Sequence, residues 1–397
     1  MALFASFARS CKGGRCTGRR SWRKPAKRLF IRSKKVTAIA ELASLPPLSL
    51  LQFAAGALLL LLGAELTVRN ALRLAERARV RPLVAGLSLM ALGSSAPQLV
   101  IGLGAVSAGA PDVALGSTVG GTLFNLLVTL GLCALIVPLR VSLPVVRLDL
   151  PMVIGAAALL YLLALDLHLG AVEAALLLAA WAAYLGVLAW QFRQTGRPAP
   201  SGPRRQRSPL AAVLRMAVGV AMLAVGGQWL LSATVAFANE LGLSERVVGL
   251  TLVAVCASLP ALLMSLLAAW RGERELAVGN VIGSSLCNLT VVLAVTVLAS
   301  PDGLSVSPNS LAFDLPVLLG ATLVAWPLFR LGYRISRLEG LLLLALYGLY
   351  GMHLVAFSTD MPMAVRLERL LGVYVLPVLG VLVMIAAWRH YRGVRRR

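Results

Sequence analysis

Residues 84–131 return at 247–294, offset by 163 positions (247 − 84), with no insertion or deletion between the copies. The first reads VAGLSLMALGSSAPQLVIGLGAVSAGAPDVALGSTVGGTLFNLLVTLG and the second VVGLTLVAVCASLPALLMSLLAAWRGERELAVGNVIGSSLCNLTVVLA. Pro97 aligns with Pro260, Gly86 with Gly249, Ser95 with Ser258, Gly116 with Gly279, Gly120 with Gly283 and Asn125 with Asn288. An apolar segment that keeps proline, glycine and asparagine in register twice fits a membrane protein made of two repeats with a site where they meet.

The surrounding chain supports that reading. It is 59% hydrophobic and 14% charged, with a mean hydropathy of +0.84, which excludes an ordinary soluble domain. Apolar runs long enough to span a bilayer predict helices near 48–70, 82–107, 112–137, 150–166 and 171–192. A second series is expected near 209–236, 247–270, 275–299, 311–330 and 338–357, with one more near 370–388. The expected fold is an all-α polytopic membrane protein of 5+5 transmembrane helices with an extra C-terminal helix.

An odd number of spans per half makes the second half enter the membrane in the opposite sense, an inverted repeat. Loop charge gives an independent test. Arg69, Arg73, Arg77, Arg79, Arg81, Arg140, Arg147, Arg193, Arg197, Arg204, Arg205, Arg207, Arg330, Arg334, Arg337 and the tail RHYRGVRRR all fall on one expected side. Asp112, Asp166, Glu173, the segment Asn239 to Arg246, Asp302 and the mixed segment with Asp360 and Glu368 fall on the other, and the 271–275 loop RGERE is neutral. The positive-inside rule then puts the C-terminus in the cytoplasm. Short loops without long soluble domains suit a bacterial inner (plasma) membrane.

Residues 1–45 stand apart, since the first 40 hold 12 Lys or Arg and no acid although an outside N-terminus is expected. A wrongly included upstream start, an organellar transit peptide and a basic arm on anionic lipid are all compatible with this composition. No aromatic-interleaved motif accompanies the basic residues, so nucleic acid is not an expected partner. The expected organisation is 48–192 as the first repeat, 193–208 as a cytoplasmic Pro/Gly/Arg-rich linker, 209–357 as the inverted second repeat and 358–397 as extra helix and basic tail.

Catalysis finds no support: there is no HExxH, Walker A, GxSxG or paired-carboxylate motif, and the chain is expected not to be an enzyme. Cys133, Cys256 and Cys287 lie in apolar spans and read as small buried hydrophobes, while Cys11 and Cys16 lie in the basic extension. His168, His353 and His390 lack partners at ligand spacing.

The repeat itself carries chemistry. A proline inside a span removes a helix hydrogen bond and crowds the carbonyl four residues back, so Pro97 and Pro260 release the carbonyls of Gly93 and Cys256. At membrane depth such carbonyls must face protein, water or a cation. Ser94, Ser95 and Gln98 lie within a turn of the first break; at the second only Ser258 survives, because Ala257 and Ala261 take the other places. Downstream, GSTVGGTLFN and GNVIGSSLCN put Thr122 with Asn125, and Ser284 with Asn288, on shared helix faces. Taken singly these residues read as close helix packing or back-bonding to their own helix. Taken as a matched set, Ser94, Ser95, Gln98, Asn125, Ser258, Ser284 and Asn288, with the carbonyls of Gly93 and Cys256, read as an ion or substrate site.

GSSAPQL with GSTVGGTLFN, and CASLPAL with GNVIGSSLCN, resemble the α1 and α2 repeats of the sodium/calcium exchanger (cation/calcium antiporter) superfamily. The flanks GAELTVRNALRLAERARVRPLVAGL and GGQWLLSATVAFANELGLSERVVGL, the pair RLDLPMVIG and AFDLPVLLG, and LEGLLLLALYGLY look like the same family, covering roughly residues 50–357. The resemblance implies ten core helices, alternating access, cation sites where the repeat helices meet, and exchange of Na⁺ (or H⁺ or K⁺ in some branches) for Ca²⁺, with no cofactor beyond the transported cations. The family pattern has an acid after each motif proline; this chain has Gln98 and Ala261, with Asn288, Gly121 and Ala257 also departing from the pattern. The mapped site is therefore a weak Na⁺ or Ca²⁺ site without carboxylates. Ca²⁺ takes roughly six to eight oxygens, generally including carboxylates, so its selectivity is in question.

The remaining acids are expected elsewhere: Glu65 as a solvated or helix-pairing residue near a span end, its repeat partner being Gln228, and Asp149 and Asp314 as N-caps or anchors. The expected function is a cation antiporter with altered selectivity. The alternatives are a non-exchanging member of the same fold serving as regulator or as transporter of another solute, and a membrane-anchored protein acting through its basic arm. Small inorganic cations and membrane lipid are the expected partners; oligomeric state is not encoded in any readable feature.

Overall fold

A computed structural model describes residues 47–78, 82–107, 109, 111–195, 209–240, 253–330 and 333–358. The basic extension, the rest of the expected linker at 196–208, residues 241–252 with the start of the helix expected at 247–270, and the expected helix at 370–388 with its tail lie outside the described residues.

Ten helices cross the described part. They are α1 (Pro47–Ala78), α2 (82–107), α3 (111–136), α4 (Val145–Leu163), α5 (Ala171–Thr195), α6 (Pro209–Glu240), α7 (Ala254–Trp270), α8 (Arg274–Ala299), α9 (Ser310–Arg330) and α10 (Arg337–Ser358). Eight are long and apolar enough to cross a bilayer by length and composition, and α7 is a shorter apolar helix. At 1.5 Å per residue, a helix of about 20 residues covers the roughly 30 Å hydrocarbon layer.

Four two-residue strands order the loops: β1 (Leu139–Arg140), β2 (His168–Leu169), β3 (Leu304–Ser305) and β4 (Arg334–Ile335). β1 pairs antiparallel with β4, joining the α3–α4 loop to the α9–α10 loop. β2 pairs antiparallel with β3, joining the α4–α5 loop to the α8–α9 loop. Each ribbon thus unites loops from different halves that the arginine pattern places on one side. A two-fold operation exchanging β1 with β3 and β2 with β4 turns one ribbon into the other.

The layers follow from burial. In α3 and α8, 83% of the best apolar window is inside the protein, against 33% in α1 and 22% in α6. The central helices α3 and α8 carry the small and polar repeat residues. The outer helices α1 and α6 show leucine to lipid, with Leu51, Leu58, Leu61, Leu214 and Val218 exposed. The C-terminal turns of α3 pack on α10 where the Gly131 and Gly340 backbones touch, and those of α8 pack on α5.

Wider π-turns interrupt the helices in matched places: 124–129 in α3 with 288–292 in α8, and 145–149 at the head of α4 with 310–314 at the head of α9. Such bulges leave a backbone carbonyl without its usual partner. In α4 that role falls to Val146, whose carbonyl accepts a hydrogen bond from the Trp326 indole of α9 at 3.1 Å.

Several boundaries differ from expectation. α1 runs to Ala78 rather than 70, taking in Arg69, Arg73 and Arg77 from the expected loop, and α6 runs to Glu240 rather than 236. α4 begins at Val145 rather than 150, because Arg147 and Asp149 belong to its helical head instead of the preceding loop. α5 continues to Thr195, past the expected linker start at 193.

Candidate cation site

The α2 and α8 backbones approach so closely that a Cβ on Gly283 would lie 2.6 Å from the Leu87 carbonyl and 2.7 Å from the Ala91 Cβ. The equivalent approach of α3 and α7 brings Gly120 to 3.1 Å from the Ala254 Cβ by the same measure. Ala91 and Ala254 are themselves 163 positions apart (254 − 91). At Gly283 a side chain would force the helices apart, while at Gly120 it would press on a single methyl. This close crossing of α2, α3, α7 and α8 brings the repeat polar residues together.

Pro97 lies inside α2 and Pro260 inside α7, so the Gly93 and Cys256 carbonyls lack their normal i+4 amide donors. Around these breaks all seven side chains of the matched set are buried. The Gln98 amide and the Ser258 hydroxyl lie over Gly121: a Cβ there would meet Ser258 Oγ at 3.0 Å, Gln98 Oε1 at 3.1 Å and Gln98 Nε2 at 3.3 Å. Ser258 Oγ donates to the Ala254 carbonyl at 2.9 Å and reaches the Gly121 carbonyl at 3.4 Å. One turn on, Asn125 Nδ2 donates to Ser284 Oγ at 3.3 Å, and Ser284 Oγ donates to the Val281 carbonyl at 3.1 Å. Ser95 Oγ, whose polar neighbour is the Cys287 thiol, makes no geometric hydrogen bond.

Ser94 departs from the set. Its hydroxyl engages Asn280 Oδ1 at 3.2 Å, while Asn280 Nδ2 donates to Ser265 Oγ at 2.8 Å and to the Ala261 carbonyl at 3.2 Å. Asn280 is wholly buried and ties α2, α7 and α8 together. Matching between the copies overlooked it because its counterpart is Ser117 (280 − 163).

What remains is a group of unpartnered atoms. Gln98 Oε1, Gln98 Nε2, Asn125 Oδ1, Asn288 Oδ1 and Ser95 Oγ are buried without a hydrogen-bond partner. Buried polar groups left unpaired are costly, and natural structures seldom retain several in one place without a ligand or water to satisfy them. Four of the five are oxygens able to face a cation.

The acids lie outside this group. Asp149 Oδ1 accepts from the Tyr184 hydroxyl at 3.2 Å, across α4 and α5. Asp314 Oδ1 accepts from Tyr350 at 3.1 Å, across α9 and α10, and its Oδ2 accepts from Ser310 at 3.1 Å. Neither carboxylate caps its helix: Asp149 makes no capping hydrogen bond, and both are buried at the end of a π-turn within the protein interior, where the tyrosine hydroxyl takes over the task of solvent. The N-cap expectation for them is therefore corrected. Glu65 accepts from both Arg69 and Arg271, which makes it a helix-pairing residue linking α1 to the loop after α7. Among the described residues no cluster of three or more His, Cys, Asp or Glu is placed to hold a metal ion, and Cys133, Cys256 and Cys287 are buried free thiols.

Both halves of the chain, at 48–190 and 211–356, match the sodium/calcium exchanger protein family. The chain belongs to the sodium/calcium exchanger family. It is 31% identical over 298 residues to the putative antiporter CaxA of Alkalimonas amylolytica, covering 73% of this chain and 93% of that protein. It is 26% identical over 333 residues to the sodium/calcium exchanger MaX1 of Methanosarcina acetivorans, covering 74% and 94%. The solved structure of the sodium-calcium exchanger NCX_Mj in low Na⁺ and Ca²⁺ superposes with a TM-score of 0.65 at 27% identity, covering 79% of this chain and 99% of that one. Family membership identifies a transporter rather than an enzyme, with small inorganic cations as its class of substrate.

Proposed function

We propose that this exchanger-family protein is a secondary active cation antiporter working by alternating access, with its transport site at the crossing of α2, α3, α7 and α8. Ser95, Gln98, Asn125 and Asn288 supply side-chain oxygens; Ser284 holds Asn125 through its amide, Ser258 packs beside Gln98 over Gly121, and the Gly93 and Cys256 carbonyls complete the cage. Ser94 acts through Asn280 rather than directly. The arginine-rich loops face the cytoplasm. The observation that carries this reading is the convergence of unpartnered buried polar atoms on the proline breaks.

Selectivity follows from charge. Two positive charges in a low-dielectric site need counter-charge, and amides and hydroxyls provide none. A monovalent alkali cation asks for less, so Na⁺ is the favoured substrate and Ca²⁺ a poor one. The test is flux in proteoliposomes. Radiolabelled Na⁺ uptake stimulated by lumenal Na⁺ is expected, with little Ca²⁺ uptake driven by an outward Na⁺ gradient. Robust Na⁺-driven Ca²⁺ uptake would overturn the selectivity. The double substitution Gln98→Glu with Ala261→Glu is expected to raise Ca²⁺ binding, and an unchanged affinity would count against this map of the site.

A further inference from the structure

The charge of the empty cage has a mechanistic consequence beyond selectivity. All seven side chains of the cage set are neutral. Among the described residues the buried acids are Asp149 and Asp314, and their hydrogen bonds go to Tyr184, Tyr350 and Ser310, none of them cage residues. Each acid is hydrogen-bonded within its own half and to no cage residue, so neither places a counter-charge among the cage oxygens. Glu65 is already taken by Arg69 and Arg271. Empty, the cage has no net charge; with one alkali cation it has one positive charge.

An alternating-access carrier is an obligatory exchanger only if its empty form cannot change sides. A cage lined with carboxylates has that property for an electrostatic reason, since once the cation leaves, bare charges remain in a low-dielectric interior. Here that penalty is missing. The empty cage leaves amide and hydroxyl atoms exposed to one another, and a few waters or a rotation of the Gln98 and Asn125 side chains can satisfy them. The force that would hold the empty carrier on one side is therefore absent from the centre of this protein.

Resting on the reading of this cage as the transport site, we infer that the protein also performs net, uncoupled transport of a monovalent alkali cation. The empty carrier returns without a counter-ion, and the loaded step moves one charge across the membrane. Such a cycle is driven by voltage. At equilibrium an inside-negative potential of 100 mV accumulates a monovalent cation about 50-fold, whereas one-for-one exchange of monovalent ions is indifferent to voltage.

The test uses the full chain in proteoliposomes filled with N-methyl-D-glucamine sulfate, with no alkali or alkaline-earth ion inside. An inward thiocyanate gradient sets the inside-negative potential, and a lumenal dye follows pH. Radiolabelled Na⁺ uptake is expected to rise with the gradient, to exceed that of protein-free vesicles, to lie within about tenfold of the rate seen with lumenal Na⁺, and to leave lumenal pH unchanged. Trans-stimulated Na⁺ exchange without voltage-driven net uptake would overturn this inference and leave the exchange reading standing. Loss of both fluxes would overturn the cage itself. Uptake matched by lumenal alkalinisation or acidification would overturn uncoupled transport in favour of proton coupling. In the double variant Gln98→Glu with Ala261→Glu, net uptake is expected to fall at least about tenfold relative to exchange. An unchanged ratio in the folded variant would also overturn the inference; if the variant does not fold, the voltage dependence of the unaltered protein decides alone.

Discussion

The two halves of the cage have one backbone and two different polar fillings. In both, a proline breaks one helix, a glycine admits its neighbour and an asparagine lies within the first two residues of a π-turn. In the first half, Ser95, Gln98 and Asn125 leave four buried polar atoms unpartnered; in the second only Asn288 Oδ1 is left so. The second half has instead used its polar groups in structural bonds, with Asn280 bonded to Ser265 and the Ala261 carbonyl within that half and to Ser94 of the first. The comparison separates what duplication keeps from what it releases. Backbone crossings are retained because they hold the helices at the right distance, whereas side chains are free to divide ligand binding from structural bonding.

The crossings themselves give the largest expected effect, and they are not equal. Gly283 faces backbone at 2.6 Å, an atom that cannot move aside, whereas Gly120 faces a single Ala254 methyl at 3.1 Å. Gly283→Ala is expected to cost about 1–3 kcal/mol or to prevent folding, and Gly120→Ala less than about 1 kcal/mol. Thermal unfolding of the purified variants in detergent measures both. Equal losses would show that the two crossings are equally tight and that the asymmetry lies in the side chains alone.

The side chains give the next effect. Asn280→Ala removes the bonds to Ser94, Ser265 and the Ala261 carbonyl together, leaving Ser94 its bond to the Ala91 carbonyl, so a loss of about 1–3 kcal/mol in stability is expected with little change in the Na⁺ dependence of flux. Asn125→Ala removes one long hydrogen bond and one cage oxygen. It is expected to cost less than about 1 kcal/mol in stability while raising the Na⁺ concentration for half-maximal flux at least about tenfold. Were the two variants to change stability and Na⁺ dependence in the same proportion, the division between structural and ligand-binding halves would fail.

Much of this was legible in the chain because hydropathy and self-similarity are one-dimensional properties. The ten helices and the meeting of the repeats follow from them, with Pro97, Pro260, Asn125 and Asn288 lying where matched spacing put them. What escaped was whatever the copies do not share or the membrane interior alters. Asn280 has Ser117 as its counterpart, so a search for identical pairs passes over it. Arg147 and Asp149 look like loop residues, yet they head α4 because Tyr184 supplies the carboxylate with a partner inside the protein. A signal for that pairing did exist. Asp149 and Asp314 are 165 apart (314 − 149) and Tyr184 and Tyr350 are 166 apart (350 − 184), an acid and a tyrosine recurring together beyond the main repeat.

Those two acid–tyrosine contacts are the mildest place where the halves can be told apart. Asp314 has two hydroxyl donors, Tyr350 on Oδ1 and Ser310 on Oδ2; Asp149 has Tyr184 on Oδ1, and its Oδ2 is buried without a partner. Removing the tyrosine hydroxyl therefore deprives Asp149 of its one hydrogen bond from a side chain but leaves Asp314 with another. Hydrogen bonds between membrane helices average about 0.6 kcal/mol, and stranding a buried polar group adds to that figure. Tyr184→Phe is expected to destabilise by about 1–2 kcal/mol and Tyr350→Phe by less than about 1 kcal/mol, each read from the unfolding temperature in detergent. Ser310→Ala combined with Tyr350→Phe should bring the second half down to the level of Tyr184→Phe, because Asp314 then has no hydroxyl left. If the double variant is no worse than Tyr350→Phe alone, the Ser310 contact contributes nothing and the difference between the two acids must come from packing around α4 and α9.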